Sequence, residues 1–126
     1  MECYFGSREL PHDNQLHKSA VVSFIIPEIG IKFKAPFDAV DSDHSDYASL
    51  LALLEFIDSN QKYFSRTTYQ IFGNNHNIVN QVNLRQSTPE KFSHLLQKAL
   101  NYREKYRYSL DWVERNVNPT FDSLLD

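Results

Sequence analysis

Two neighbouring stretches near the start of the chain carry the hydrophobic patterns of β-strands. AVVSFII, residues 20–26, is a continuous apolar run rich in β-branched residues, which is typical of a strand buried on both faces. IKFKAPF, residues 31–37, alternates apolar and polar positions and predicts a strand with one buried face. The short link between them contains Pro27 and Gly30, so the pair predicts a β-hairpin. ECYF, before Gly6, predicts a further short strand.

The rest of the chain alternates between helical and strand patterns. A first helix is predicted after the polar segment DSDHSD, where apolar residues recur at helical spacing at Tyr47, Leu50, Leu51, Leu54 and Ile57. TTYQIF, residues 67–72, and RYSLDWV, residues 107–113, predict two more strands. NIVNQVN, residues 77–83, predicts a short helix directly after the first of these strands.

Two proline-containing segments predict the starts of helices. Thr88 is placed as an N-cap, with Pro89 at the first helical position and Glu90 in the first turn of a long helix. Asn118 and Pro119 similarly predict a last short helix. The resulting order, β-β-β-α-β-α-α-β-α, predicts one α/β domain over residues 1–126, with a mixed five-stranded sheet and helices on both of its faces.

Composition narrows the classes of function. The net charge of −3 and a pI near 5.9 give no overall basic field, so nucleic-acid binding would need a local patch. No apolar run reaches the roughly 20 residues that span a bilayer, and no membrane partner is expected. The single cysteine, Cys3, and the lack of a signal-peptide pattern lead us to expect a cytoplasmic protein.

Several residue clusters suggest no specific chemistry of their own. The acidic run DAVDSDHSD, residues 38–46, lacks the central glycine and terminal glutamate of a calcium-binding EF-hand loop. The five histidines have no two members at zinc-ligand spacing on one element. Cys3 has no evident nucleophilic partner and is interpreted as a small apolar strand residue. We therefore expect no cofactor from these clusters.

One basic segment stands out. NYREKYRY, residues 101–108, interleaves Arg103, Lys105 and Arg107 with tyrosines. Basic and aromatic side chains together can hold phosphates and stack bases. The same pattern is also typical of the solvated C-terminal end of an amphipathic helix, where cations are favoured. Both interpretations stay open.

Four stretches, in order, resemble the ribonuclease H-like family. WVERNVNPTFDSLL, residues 112–125, is similar to its last strand and final helix, which places Asp122 on the last catalytic aspartate. IFGNNHNIVNQVN is similar to its fourth strand and following helix, with Asn74 in place of a catalytic aspartate. SDYASLLALLEF is similar to its first helix, with Asp46 in place of a glutamate. YFGS is similar to its first strand, with Phe5 in place of the first aspartate.

This resemblance implies a metal-dependent nuclease fold with a degenerate carboxylate set. In the family, four carboxylates hold two divalent cations that activate water and stabilise the leaving oxygen. Phe5 offers no ligand here, and Asn74 offers only a neutral oxygen, so Asp46 and Asp122 remain as possible metal ligands. We therefore expect a binding module that is inactive or impaired in hydrolysis. The alternative is an atypical ribonuclease using magnesium or manganese that cleaves the RNA strand of RNA–DNA hybrids, aided by a loop acid such as Glu9 or Asp13.

The candidate residues also have structural interpretations, which remain open. Asp122 could be a charge that favours the start of a helix, and Asp46 could be a first-turn acid three residues after Asp43. Asn74 and Asn75 suit a turn at the end of a strand. The candidate nucleic-acid contacts are Arg103, Lys105, Arg107 and Asn75. The candidate partners are an RNA–DNA hybrid, RNA, or another protein.

Overall fold

The protein is described from a computed structural model that covers residues 1–10, 18–64 and 68–122. Within these ranges it forms one five-stranded sheet in the order β3-β2-β1-β4-β5. The strands are β1 (Glu2–Glu9), β2 (Lys18–Ile26), β3 (Ile31–Ala39), β4 (Gln70–Gly73) and β5 (Ser109–Trp112). β1, β2 and β3 pair antiparallel, and β4 runs parallel to both β1 and β5. The predicted hairpin and the mixed α/β sheet are confirmed.

The α-helices are α1 (Ser42–Ser59), α2 (His76–Val82) and α3 (Ser93–Tyr106). α1 and α2 pack against the sheet, and α3 packs on α1 and α2. The other face of the sheet carries the 3₁₀ turn Pro119–Phe121. The turn lies so close to Gly6 that a Cβ there would be 2.8 Å from Thr120 Oγ1. Gly6 therefore lets β1 continue beneath this turn. The predicted short N-terminal strand is longer than expected, since it runs through Gly6 to Glu9.

The core lies between the sheet and the three helices. Side chains alternate along β1, so Cys3 and Phe5 are buried on the helix-bearing face while Tyr4 stacks on Phe72 on the other. The largest fully buried side chains belong mostly to α1 and the central strands: Tyr47, Phe5, Phe24, Phe64, Ile26, Leu50, Leu53, Leu54, Ile57, Ile71, Ile78 and Gln81. This packing fixes where the N-termini of α1 and α2 meet the end of β4.

The predicted starts of α1 and α3 need correction. Asp41 caps α1 by accepting the His44 backbone N–H at 2.9 Å, so Asp43 lies in the first turn and Asp46 lies beyond it. Pro89 is extended, with ψ 143°, and precedes a 3₁₀ turn, Glu90–Phe92, before α3 begins. Among the described residues, the buried Thr88 hydroxyl has no hydrogen-bond partner, so it does not cap the helix as predicted.

The strands after α1 are shorter than predicted. β4 begins at Gln70 rather than residue 67, which lies outside the described ranges. β5 begins at Ser109, because Arg107 takes a left-handed conformation with φ 49° that ends α3. The predicted last helix is a 3₁₀ turn as far as Phe121; residues 123–126 lie outside the described part of the chain. No described helix has the length and apolar character needed to cross a membrane.

Candidate functional site

A polar cleft forms where β4 ends and the N-termini of α1 and α2 approach each other. Gly73 ends β4 and Asn75 caps α2 through its side chain, so a single residue, Asn74, connects the strand to the helix cap. The cleft has a volume of about 340 Å³. It is lined by polar side chains only: Ser42, Asp43, Asp46, Asn74, Asn75, His76 and Asn77. Three predicted site residues, Asp46, Asn74 and Asn75, are thus brought together here.

Asp46 is held by donors from two other elements. The Ser7 hydroxyl on β1 donates to Asp46 Oδ1 at 2.6 Å, and the Asn75 amide donates to Oδ2 at 2.7 Å. Ser7 is fixed in turn by a 2.8 Å hydrogen bond with the Ser45 hydroxyl. Burial raises the pKa of Asp46 above its ordinary value, and the two hydrogen bonds partly oppose that shift. Both carboxylate oxygens therefore have a protein partner.

Asn75 links the two aspartates of the cleft. Its Nδ2 group donates to Asp43 at 2.8 Å and to Asp46 at 2.7 Å. Its Oδ1 accepts the backbone N–H groups of Asn77 and Ile78 at the start of α2. The Asn75 side chain, which is predicted to contact nucleic acid, therefore caps α2 through its oxygen and bridges Asp43 and Asp46 through both of its amide hydrogens.

Phe5 fills the position that the resemblance assigns to the first carboxylate. Its side chain is 1% exposed and lies against the backbone of Gly73 on the neighbouring strand. A Cβ at Gly73 would approach Phe5 Cε1 to 2.6 Å, so the ring occupies the space that a side chain at position 73 would need. An apolar ring thus stands beside the polar cleft and offers no ligand to a cation.

The Asn118 side chain connects Asn74 with β1. Its buried amide donates to the Phe5 carbonyl at 2.9 Å and to Asn74 Oδ1 at 3.0 Å. Asp122 is exposed and lines a second cavity, of about 840 Å³, with residues 114–119 and Phe121. The two cavities share no described lining residue. Asp122 therefore does not line the cleft that holds Asp46 and Asn74.

The predicted helical interpretation of Asp122 also needs correction. It follows the 3₁₀ turn in an extended conformation, with φ −67° and ψ 124°, rather than standing in a first helical turn. Of the two loop acids, Glu9 ends β1 two residues beyond Ser7 and is not among the described lining residues of the cleft. Asp13 lies outside the described residues.

The residues of the cleft do not fit a pair of divalent cations. Of the four predicted positions, only Asp46 contributes a carboxylate to the cleft, and its oxygens accept hydrogen bonds from Ser7 and Asn75. Asp43 adds one more carboxylate. Among the described residues, no three His, Cys, Asp or Glu side chains form a group that could hold a metal ion. One Mg²⁺ can be bound through one or two carboxylates, but a pair of cations would have to share Asp43 and Asp46, which both already accept hydrogen bonds from the Asn75 amide.

Arg103, the first of the predicted basic contacts, is bound within the protein. Its guanidinium donates to the Tyr108 carbonyl at 3.3 Å, the Val82 carbonyl at 3.1 Å and Asn83 Oδ1 at 2.8 Å. It also lies over the Tyr108 ring at 4.7 Å. These contacts join α3, the end of α2 and the start of β5. Arg103 thus has a structural role whether or not it also meets a ligand.

Lys105 and Arg107 lie far from the cleft. Lys105 donates to Asp58 at 2.7 Å, near the C-terminal end of α1, while the cleft meets the N-terminal end of that helix at Asp46. At 1.5 Å per residue, Asp46 and Asp58 are about 18 Å apart along the helix axis. Lys105 and Arg107, which share a cavity with Asp58, therefore lie at the opposite end of α1 from the cleft, whereas Arg103 contacts the C-terminal end of α2.

An aromatic pair at the rim of the cleft was not among the predicted site residues. The rings of His76 and Trp112 stack at 4.3 Å and 14°, and Trp112 Nε1 donates to the Asn74 carbonyl at 3.2 Å. His76 follows the end of β4 and Trp112 is the last residue of β5, but the two residues are far apart in the sequence. Only the parallel pairing of Gly73 with Trp112 reveals their contact.

Two polar members of the site were also missed. Ser7 stands two residues after Phe5 and so shares its face of β1, a signal that alternation along the strand could have supplied. Asp43 lies three residues before Asp46 on α1, where residues at this spacing are neighbours. The same spacing also fits an N-cap followed by a first-turn acid, so the sequence alone does not assign Asp43 to the cleft.

Comparisons by sequence return no relative. No family model matches the chain, and no curated protein matches it. Similarity is found in three dimensions only.

Solved structures of ribonucleases H1 are similar to this chain. One, isolated from compost by a metagenomic approach, is 12% identical, with a TM-score of 0.76 over 98% of this chain and 90% of that one. The same ribonuclease in complex with an RNA/DNA hybrid is 13% identical, with a TM-score of 0.73 over 93% and 87%. The ribonuclease H1 of the archaeon Halobacterium salinarum is 18% identical, with a TM-score of 0.70 over 98% and 92%. At these identities the likeness is one of fold.

Proposed function

We propose that this chain, which has a ribonuclease H-like fold, is a nucleic-acid-binding domain that does not hydrolyse its ligand. The observation that carries the proposal is the buried ring of Phe5, packed on Gly73 where the first catalytic carboxylate is expected. The proposed ligand class is an RNA–DNA hybrid or RNA. No metal ion takes part in the proposed binding.

Loss of hydrolysis follows from the charge count of the site. Two-metal hydrolysis needs anionic oxygens that hold both cations close together. Phe5 supplies none, and Asn74 supplies a neutral oxygen that is already bonded to Asn118. Both carboxylate oxygens of Asp46 accept hydrogen bonds, from Ser7 and Asn75, and Asp122 lines another cavity. A site of this kind holds its shape without a metal, because neutral donors take the place of cations.

Retention of binding is supported by the fold and by the kind of groups that remain. One similar structure is a ribonuclease H1 in complex with an RNA/DNA hybrid, so this fold can present a surface to such a duplex. Its cleft here carries amide and aromatic side chains, which contact bases and sugars without needing charge: Asn74, Asn75, His76, Asn77 and the adjacent Trp112.

A binding assay without metal tests the proposal. A labelled RNA–DNA hybrid is titrated with the protein in EDTA and followed by fluorescence anisotropy, beside a DNA duplex and single-stranded RNA. We expect saturable binding of the hybrid or RNA that is unchanged when EDTA is replaced by magnesium. Binding that requires magnesium, or no binding to any of the three, would overturn the proposal.

A second candidate function is hydrolysis by an atypical metal site. The observation that favours it is that Asp43, which the sequence resemblance does not include, lines the same cleft as Asp46 and Asn74. Cleavage of the RNA strand of a hybrid in manganese, lost in an Asp43→Asn variant, would support this candidate. The same cleavage retained in that variant would exclude Asp43 as the substitute carboxylate.

A further inference from the structure

The aromatic pair His76–Trp112 is held in a fixed geometry at the mouth of the cleft. The two rings are nearly parallel, with centroids 4.3 Å apart. The Trp112 indole N–H donates to the Asn74 carbonyl at 3.2 Å, which fixes the rotation of that ring. His76 itself lines the cleft at the first position of α2. The indole is thus held by the stack and by this hydrogen bond in the protein without a ligand.

The pair is also accessible. Trp112 is 40% exposed and His76 is exposed, although an indole is among the groups that folding usually buries. Trp112 is the only tryptophan of the chain. Its partner in the sheet, Gly73, has no side chain to cover it. Folding alone does not require an aromatic stack at this exposed position.

We propose that His76 and Trp112 form a stacking platform for an unpaired nucleobase next to the cleft. This inference rests on the proposed function, because it takes nucleic acid as the ligand and assigns the part that contacts the protein. Every base presents a π-face, so stacking on an aromatic side chain tolerates any sequence. A third ring continues the existing stack in the same orientation.

The charges around the cleft select the base and not the phosphate. Asp43 and Asp46 line the cleft, and no Lys or Arg is among its described lining residues. Phosphates therefore gain no cation at this position, and the backbone must pass outside it. Two consequences follow: the stacked contact depends little on salt, and a nucleoside binds the platform as well as its monophosphate does.

The test uses a hybrid with a three-adenine single-stranded overhang, a blunt hybrid, and a hybrid whose overhang is abasic. Affinity is measured by anisotropy of a labelled strand, and stacking is measured by the fluorescence of Trp112. Trp112→Ala and His76→Ala remove one ring each. Tyr63→Ala is the matched control, since Tyr63 is a 69% exposed aromatic near the C-terminal end of α1. Thermal melting of each variant checks its fold.

We expect the adenine overhang to quench Trp112 and to bind about tenfold more tightly than the abasic overhang, in line with the usual energy of base stacking on an aromatic ring. His76→Ala and Trp112→Ala should remove that advantage, and Tyr63→Ala should keep it. Adenosine and its monophosphate should quench Trp112 equally.

Other results would overturn the platform. If the parent binds all three hybrids equally and Trp112 fluorescence is unchanged, the platform is wrong while the proposed function stands. If none of the hybrids binds, the platform is wrong, and the proposed function fails with it only if single-stranded RNA does not bind either. Quenching by an arginine-rich peptide, without quenching by the overhang, would assign the aromatic pair to a protein partner instead.

Discussion

Phe5 and Gly73 are complementary across the junction of β1 and β4. The strands pair in parallel through Cys3–Ile71 and Tyr4–Phe72, so the next residues, Phe5 and Gly73, stand side by side. The ring of Phe5 takes the volume that a side chain at position 73 would fill. An apolar residue at the first carboxylate position is thus built into the packing of the sheet, and its removal should disturb stability rather than activity.

A double-mutant cycle tests this complementarity. Gly73→Ala should destabilise the protein by about 1–3 kcal/mol, because the added methyl overlaps the Phe5 ring. In a Phe5→Leu background the cost of Gly73→Ala should be clearly smaller, since the smaller side chain leaves room. The free energy of unfolding is measured by urea denaturation for the four proteins. Equal costs in both backgrounds would show that the ring does not contact position 73 as described.

Restoring charge should restore metal binding. The combined variant Phe5→Asp, Asn74→Asp brings the number of carboxylates at the cleft from two to four, and clustered carboxylates repel one another unless a cation is present. We expect millimolar manganese to raise the melting temperature of this variant by several degrees and to leave that of the parent nearly unchanged.

Asn74→Asp alone is the control for that experiment. It adds one charge without changing Phe5, and should respond to manganese only weakly. A parent protein that manganese stabilises as much as the combined variant would mean that the natural cleft already holds the ion. The charge-count account would then be wrong.

His44 should make the protein less stable in acid. Its Nδ1 accepts the Val40 backbone N–H at 3.1 Å, and its ring lies between Phe37 and Phe92 at 4.9 and 5.9 Å. Burial lowers the pKa of His44 below its ordinary 6.5. The unfolded chain therefore binds the proton more readily. The stability contribution is fully present above pH 6.5 and is lost as the pH falls through the lower folded pKa.

The comparison of parent with His44→Phe isolates this effect. The variant keeps an aromatic ring between Phe37 and Phe92 but cannot titrate. We expect the free energy of unfolding of the parent to fall relative to that of the variant between pH 7 and pH 5. A difference that stays constant over this range would show that His44 titrates normally in the folded protein.

Arg103 should matter for stability and not for affinity. Arg103→Gln removes hydrogen bonds to Tyr108, Val82 and Asn83 and should cost about 2–4 kcal/mol. Hybrid affinity, measured well below the melting temperature, should stay within about twofold. Arg107→Gln, at an exposed position past the end of α3, serves as the comparison and should change stability little. A large loss of affinity in Arg103→Gln alone would restore it as a nucleic-acid contact.

Local patterns in the sequence were enough to predict the sheet. The continuous apolar run of β2 and the alternation of β3 identified the hairpin, and the helical spacing from Tyr47 to Ile57 identified α1. Boundaries were harder to predict, because they depend on contacts that are distant in sequence. β1 runs through Gly6, where the missing side chain leaves room for Thr120. Pro89 is extended at a position where the sequence predicts the start of a helix.

The candidate site was only partly predictable for the same reason. The resemblance located Asp46, Asn74 and Phe5, and the structure brings them to one end of the sheet. It could not show that Asn75 would bridge Asp43 and Asp46, since the spacing of these residues fits a simple cap equally well. It also placed Asp122 in the same site, whereas Asp122 lines a different cavity from Asp46 and Asn74.

A cleavage assay decides whether the cleft carries out metal-dependent hydrolysis. A uniquely labelled RNA–DNA hybrid is incubated with excess protein in magnesium and in manganese, beside an Asp46→Asn variant prepared identically. We predict intact RNA in every reaction, with no difference between parent and variant. RNA cleaved by the parent and left intact by Asp46→Asn would contradict the account, because it would mean that the cleft performs the reaction despite Phe5 and Asn74.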